Sequence, residues 1–157
     1  MPSTPRRQQL ADSAPAPLGG ATRSTQHLFT YGSLMFAEVW SRVVHGIYRQ
    51  MPARAEGFGR YAVRGESYPG LVPEPRSSVE GVVYFDVSPA DVASLDVFEG
   101  EQYQRQVIHV RVTGGDAIAV HAYVFTATHL LDAKRWLPEE FALLRFLESY
   151  CAPRLGR

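Results

Sequence analysis

The chain has 157 residues, with sixteen basic and sixteen acidic side chains, no formal net charge, 45% apolar residues and 20% charged ones. These values fit one ordinary globular domain, large enough to bury a core without disulfide or metal staples. The charge balance gives no electrostatic case for nucleic acid or a membrane surface as partner, and the single cysteine, Cys151, excludes an internal disulfide and fits a reducing compartment.

Residues 1–26 are rich in Pro, Ser, Ala, Gly and Arg without apolar periodicity, and a disordered tail is expected there. Arg6 and Arg7 are not followed by a continuous apolar stretch, so the segment does not read as a signal peptide. No run of residues approaches membrane-spanning length. The chain reads as a cytoplasmic enzyme whose folded domain covers 27–157.

The first expected element is a short strand over 27–31, turned by Gly32-Ser33 into a helix over 36–45. Phe36, Val39, Trp40, Val43 and Val44 mark one helical stripe there, and Gly46 is the expected stop. Residues 51–63 mix small and aromatic side chains around Gly57 and Gly59, which predicts two short strands with a bend or bulge between them. Residues 68–73, bounded by prolines, read as extended chain, more edge or loop than central strand. Residues 79–87 are apolar nearly throughout and predict a strand buried on both faces.

Ser88-Pro89-Ala90-Asp91 carries the signals of a helix start: a capping Ser, a first-turn Pro and an acid at the third position. Val92 and Leu95 are expected to face the core, and Gly100 to end the helix just after Glu99. Residues 103–112 alternate as a strand, with Ile108, Val110 and Val112 on one face and Arg105, His109 and Arg111 on the other. Gly114-Gly115-Asp116 is the expected hairpin turn into a strand over 118–125. An amphipathic helix over 138–150 closes the domain, with Phe141, Leu144, Phe146 and Leu147 as packing residues. Strands interrupted by a few helices do not fit a doubly wound parallel sheet. The expected class is α+β, a small, mixed, strongly curved β-barrel with peripheral helices.

Two segments carry chemistry. Glu99 falls at the negative end of a helix dipole, flanked by Phe98 with Tyr103 nearby, surroundings that raise a carboxyl pKa toward the range of a general base. An acid opposing the dipole breaks a local rule, and such departures gather at functional sites. Asp96 and Glu101 are competing acids, expected to be solvated. In Tyr31-Gly32-Ser33-Leu34 a strand enters a tight turn whose free N–H groups can hold an anion. Ser33 is not expected to be a nucleophile, since a Gly-x-Ser-x-Gly elbow needs Gly where Met35 stands. A three-residue hairpin turn would set His109 opposite His121, but two imidazoles alone do not complete a zinc site. Cys151 reads as structural. Tyr103 and Arg105 either pair across strands or line the site, and Tyr103 stands closer to Glu99.

Four segments in order, Tyr31-Gly32-Ser33-Leu34, Tyr68-Pro69-Gly70-Leu71-Val72, Glu80-Gly81-Val82-Val83-Tyr84 and Leu95-Asp96-x-Phe98-Glu99-Gly100-x-x-Tyr103-x-Arg105, resemble the γ-glutamylcyclotransferase-like superfamily. The resemblance runs over about residues 27–150 and is closest to the γ-glutamylamine cyclotransferases and plant avirulence-induced-gene-2-like proteins. It implies a small mixed barrel with flanking helices. It also implies a small γ-glutamyl substrate, converted to 5-oxoproline and a free amine without metal or organic cofactor. Glu99 would be the catalytic acid/base, and Tyr31, Gly32, Ser33, Leu34 and Tyr103 would bind the substrate. Residues 64–76, over the site mouth, are where the leaving amine would be chosen. Two alternatives stand beside this reading: a non-catalytic module that binds γ-glutamyl metabolites, and a related acyltransferase or amide hydrolase.

Overall fold

Two long antiparallel strands, β2 (Gln50–Val63) and β3 (Pro69–Val87), make up the largest part of the sheet in the computed structural model, which describes residues 24–155. Most of the expected tail, residues 1–23, lies outside the described residues; Gln26 already opens strand β1 (Gln26–Thr30) and pairs with Val87. Segment 51–63 is one strand instead of two. The expected irregularity is present at Gly57, φ 87°, between Glu56 and Phe58, but pairing with β3 resumes on either side of it. Residues 69–73 are strand as well, paired with 58–62, and Leu71 is fully buried.

Strands β4 (Tyr103–Val112) and β5 (Ala117–Phe125) complete a closed barrel in the order β3-β1-β5-β4-β2, with β2 returning to β3. Only β1 and β5 run parallel, with Leu28 beside His121; the remaining pairs are antiparallel. A sixth strand, β6 (Leu131–Arg135), extends the sheet beyond β2. Its sequence, Leu-Asp-Ala-Lys-Arg, has no alternation to reveal it, as suits a short, charged edge strand.

Alternation along the barrel strands separates two cores. Phe29, Ala53, Ala55, Leu71, Val79, Val83, Ile108, Val110, Val120 and Ala122 come from all five barrel strands and fill the interior. Leu28, Tyr84, Val87 and Tyr123 point outward, against helices α1 (Ala37–Val43) and α2 (Pro89–Glu99) and the C-terminal helical segment. Val83, Tyr84, Phe85 and Val87 thus serve both cores, whereas Glu80 and Asp86 are exposed, so the burial on both faces expected for 79–87 holds only toward its C-terminal end. Asp86 at φ 57° and a register shift in β1 between Gln26 and Leu28 put Tyr84 and Val87 on the same side. α1 is shorter than its apolar stripe, because Val44 is already extended.

The closing helix begins later than expected. Residues Pro138–Glu140 form a 3-10 turn, and the helix proper comprises α3 (Leu143–Phe146), a π turn over Leu147–Cys151 and α4 (Ala152–Leu155). Phe146 and Cys151 are buried, but Leu144 is 75% exposed and is not a packing residue. Among the described residues no helix is long and apolar enough to cross a membrane.

Candidate active site

The parallel β1–β5 pair carries the C-terminal ends of both strands to one end of the barrel, where the antiparallel β4 begins and β3 starts. α2 finishes at the same place. Its N-terminus is set as the sequence foretold: the Ser88 hydroxyl accepts the Asp91 N–H, and Pro89 sits in the first turn. Val92, Leu95 and Phe98 bury one face of the helix. Gly100, at φ 85°, then lets the chain leave the helix and enter β4, directly after Glu99.

A pocket with about 310 Å³ of empty space opens at this end, lined by Glu99, Tyr103, Tyr123, Tyr68, Pro69 and residues 29–34. All six residues singled out from the sequence, Glu99, Tyr31, Gly32, Ser33, Leu34 and Tyr103, lie on this one surface.

The turn after β1 is a 3-10 turn, Ser33–Met35, entered from Gly32. Its first internal hydrogen bond is Met35 N–H to the Gly32 carbonyl. The N–H groups of Ser33 and Leu34 precede that bond and have no acceptor among the described residues, leaving two donors beside the pocket. Arg60 anchors the turn from β2, donating to the carbonyls of Tyr31 at 2.7 Å and Glu80 at 3.2 Å. Gly32 lies against Pro69, the first residue of β3.

Glu99 is only partly buried by surface area, because one side of it faces the pocket. Protein encloses the rest, and no donor among the described residues reaches its carboxyl oxygens. Burial, and secondarily the neighbouring charge of Asp96, raises its pKa to about 8. Of the surroundings invoked from sequence, the enclosing neighbours matter most, since desolvation is the leading cause. The anionic form is disfavoured here, and the group can take up and give back a proton near neutral pH.

Around Glu99 stand tyrosines whose hydroxyls are mostly engaged in holding the fold. Tyr31 donates to the Tyr123 carbonyl at 2.6 Å, Tyr103 to the Pro69 carbonyl at 2.7 Å, and Tyr150 to the Phe98 carbonyl at 2.7 Å. Burial pushes the phenols of Tyr31 and Tyr103 well up, so both remain neutral donors. Tyr68 lines the pocket with no partner for its hydroxyl among the described residues.

Asp96, expected to be solvated, is 40% exposed at its side chain but is also engaged by partners. It forms an ion pair with Arg105 at 2.8 Å and accepts the Tyr123 hydroxyl at 2.6 Å. Glu101 is exposed, as expected. Sequence reasoning missed Tyr123. The last β4–β5 pair is Arg111 with Ala117, which leaves five residues, 112–116, between them, so Arg105 faces Tyr123, and His109 faces Ala119 instead of His121. The correct register would have set Tyr123 beside Arg105. Among the described residues no group of three His, Cys, Asp or Glu could hold a metal ion. Cys151 is buried, and burial raises its thiol pKa, which fits packing and not nucleophilic chemistry.

The family model described as "Gamma-glutamyl cyclotransferase, AIG2-like" matches residues 28–140. Protein AIG2 C of Arabidopsis thaliana is 30% identical over 102 residues, covering 64% of this chain and 62% of that protein. The chain thus spans about three fifths of the length of that relative. An Arabidopsis thaliana protein solved in solution aligns with TM-score 0.63 and 25% identity, over 82% of this chain and 89% of its own. A structure titled gamma-glutamyl cyclotransferase shares the fold at TM-score 0.56 and 22% identity, over 65% of this chain and 67% of its own. With the match running through the pocket turn, α2 and most of the barrel, the chain belongs to the gamma-glutamyl cyclotransferase, AIG2-like family.

Proposed function

We propose that this protein is a cyclotransferase that converts an L-γ-glutamyl amine or γ-glutamyl peptide into 5-oxoproline and a free amine, with Glu99 as acid and base. The observation that carries this reading is the enclosed Glu99 carboxyl, without a donor, in the same small pocket as the unpaired N–H groups of Ser33 and Leu34. Membership of the family supports the reaction class.

In this mechanism the turn holds the α-carboxylate of the substrate on its free N–H groups, which selects the curled conformer. The α-amine reacts as the neutral NH2 group, and ionised Glu99 takes one of its two protons as the ring closes. The nitrogen lone pair attacks the γ-carbonyl carbon and closes the five-membered ring as a tetrahedral intermediate. Collapse of that intermediate breaks the bond to the leaving nitrogen, which takes the proton back from Glu99. Protons balance over the cycle, and no covalent enzyme intermediate forms. Tyr68, Pro69 and Tyr103 line the pocket beside Glu99, where the leaving amine would lie.

The test is a mass-spectrometric screen of γ-glutamyl amines, γ-glutamyl dipeptides and glutathione for release of 5-oxoproline. The expected result is lactam from at least one class, lost in a folded Glu99→Gln variant. Saturable binding without turnover across the panel would identify a binding module instead, and free glutamate or a new amide would identify an external nucleophile.

A further inference from the structure

Asp96 and Glu99 lie three residues apart on α2, a spacing that puts two side chains on one face with Cβ atoms about 5–6 Å apart. The fold treats these two carboxyls in opposite ways. Asp96 Oδ1 accepts from Arg105 Nε at 2.8 Å and from the Tyr123 hydroxyl at 2.6 Å, and Oδ2 accepts from Arg105 Nη2 at 3.2 Å. Glu99 receives no donor among the described residues. The fork of Arg105 and the phenol of Tyr123 come from facing positions on β4 and β5, so the strand register itself aims both at Asp96. Behind them, Arg105 Nη1 lies 2.9 Å from His121 Nδ1. Burial and the adjacent guanidinium both lower the pKa of His121, which favours a neutral ring accepting from Arg105.

The Glu99 charge in turn bears on five surrounding phenols, raising the pKa of each. Tyr31 belongs to the turn after β1, Tyr68 to the β2–β3 connection, Tyr103 to β4, Tyr123 to β5 and Tyr150 to the C-terminal helix. Among the described residues Asp96 is the one charged group acting on Glu99. Asp96 and Arg105 do not line the pocket, whereas Tyr123 does, and its carbonyl also receives the Tyr31 hydroxyl. The same residue therefore braces Asp96 and the pocket turn.

Resting on the proposed role of Glu99, we propose that Asp96 is a positioning residue, clamped by Arg105 and Tyr123 so that its charge sets how firmly Glu99 holds its proton. Arg105 is the counter-charge of Asp96, and the Asp96 charge acts on Glu99. Removing Asp96 or Arg105 must therefore move Glu99 in opposite directions, a signature that loss of packing does not produce.

The experiment is a direct titration of Glu99 by carbon NMR of its carboxyl in the ligand-free protein, with the signal assigned by its absence in Glu99→Gln. Asp96→Asn removes the like charge and leaves the Arg105 cation, and it is expected to move the Glu99 midpoint about one pH unit lower. Arg105→Gln bares the Asp96 charge and is expected to move the midpoint higher, while Arg105→Lys, which keeps the cation, should remain near wild type. Folding of each variant is checked by its amide spectrum, and if Arg105→Gln does not fold, Asp96→Asn and Arg105→Lys still decide the matter. Unchanged midpoints, or shifts in the same direction for Asp96→Asn and Arg105→Gln, overturn the inference. Shifts of opposite sign support it even where no γ-glutamyl compound is turned over, a result that would count against the cyclotransferase reading alone.

Discussion

Gly32 and Pro69 are packed so closely that a Cβ at position 32 would stand 2.8 Å from Pro69 Cγ and 2.9 Å from Cδ. The contact joins the turn after β1 to the start of β3, and both residues line the pocket. A methyl group there must displace either the proline or the turn that carries the free N–H groups. Gly32→Ala is therefore expected to cost about 1–3 kcal/mol, as overpacking does, and to raise KM more than it lowers kcat. Adding Pro69→Ala should restore part of both losses, measured by thermal melts and steady-state kinetics on the two single variants and the double.

Glu99 also carries a stability signature that needs no substrate. Its carboxyl has a folded pKa of about 8 against an ordinary value of 4.5, so the folded protein binds this proton more tightly than the unfolded chain does. The sign follows from linkage: the carboxyl is harmless to folding below about pH 4.5 and increasingly costly as pH rises toward 8. Glu99→Gln should consequently stabilise the protein by on the order of 3 kcal/mol at pH 7 and by almost nothing near pH 4. Denaturant unfolding at both pH values checks this, and a variant no more stable than wild type at neutral pH would contradict the enclosure of the carboxyl.

What the sequence revealed and what it hid divide by range. The helix from Pro89 to Glu99 was legible because its caps, Ser88 and Gly100, are local signals read within a few residues. The turn at 31–34 and the start of β4 are local in the same sense, so the six candidate residues could be named before their assembly was known. The Asp96–Arg105–Tyr123 cluster was not legible, since it depends on the β4–β5 register, and the observed register is shifted by two residues from the one a three-residue turn gives, which moves every partner. The two glycine-punctuated pieces of β2 merge because β3 pairs with both, a long-range fact that overrides the local break signal. The raised Glu99 pKa was legible in direction from its aromatic neighbours, but the extent of the burial that causes it belongs to the whole barrel end.

The pH dependence of turnover provides a separate check on the role of Glu99. A general base must begin the cycle ionised, so kcat/KM should climb with pH and level off above about pH 8. A solvated glutamate would place that limb near the ordinary value of 4.5, and a group that serves only as an acid would give a falling limb instead. The α-amine of the substrate titrates in a similar range, but its contribution is fixed by the substrate. A limb that moves to lower pH in Asp96→Asn with the same substrate must therefore come from the protein, and one that does not move assigns it to the amine.

Asp91 secures the other end of α2 and through it the whole site. The side chain is 4% exposed and accepts from the backbone N–H groups of His45 and Gly46, each at 2.9 Å, and from the Tyr48 hydroxyl at 2.6 Å. Burial alone would raise its pKa, but the Tyr48 hydroxyl and the two amides outweigh burial and hold it below the usual carboxylate value. A depressed folded pKa contributes stability that is present above the unfolded value and is lost as pH falls through the folded one. Asp91→Asn keeps one good acceptor for three donors and is expected to cost about 1–3 kcal/mol at neutral pH. The deficit against wild type should shrink in acid, where wild-type Asp91 is protonated too. Because residues 45–48 and α2 are held together at this point, the variant should also weaken the seating of α2, yet at low temperature it should retain kcat, since Asp91 does not line the pocket. Thermal melts from about pH 3 to pH 7, paired with turnover well below the melting range, would separate this anchoring role from any part in the chemistry.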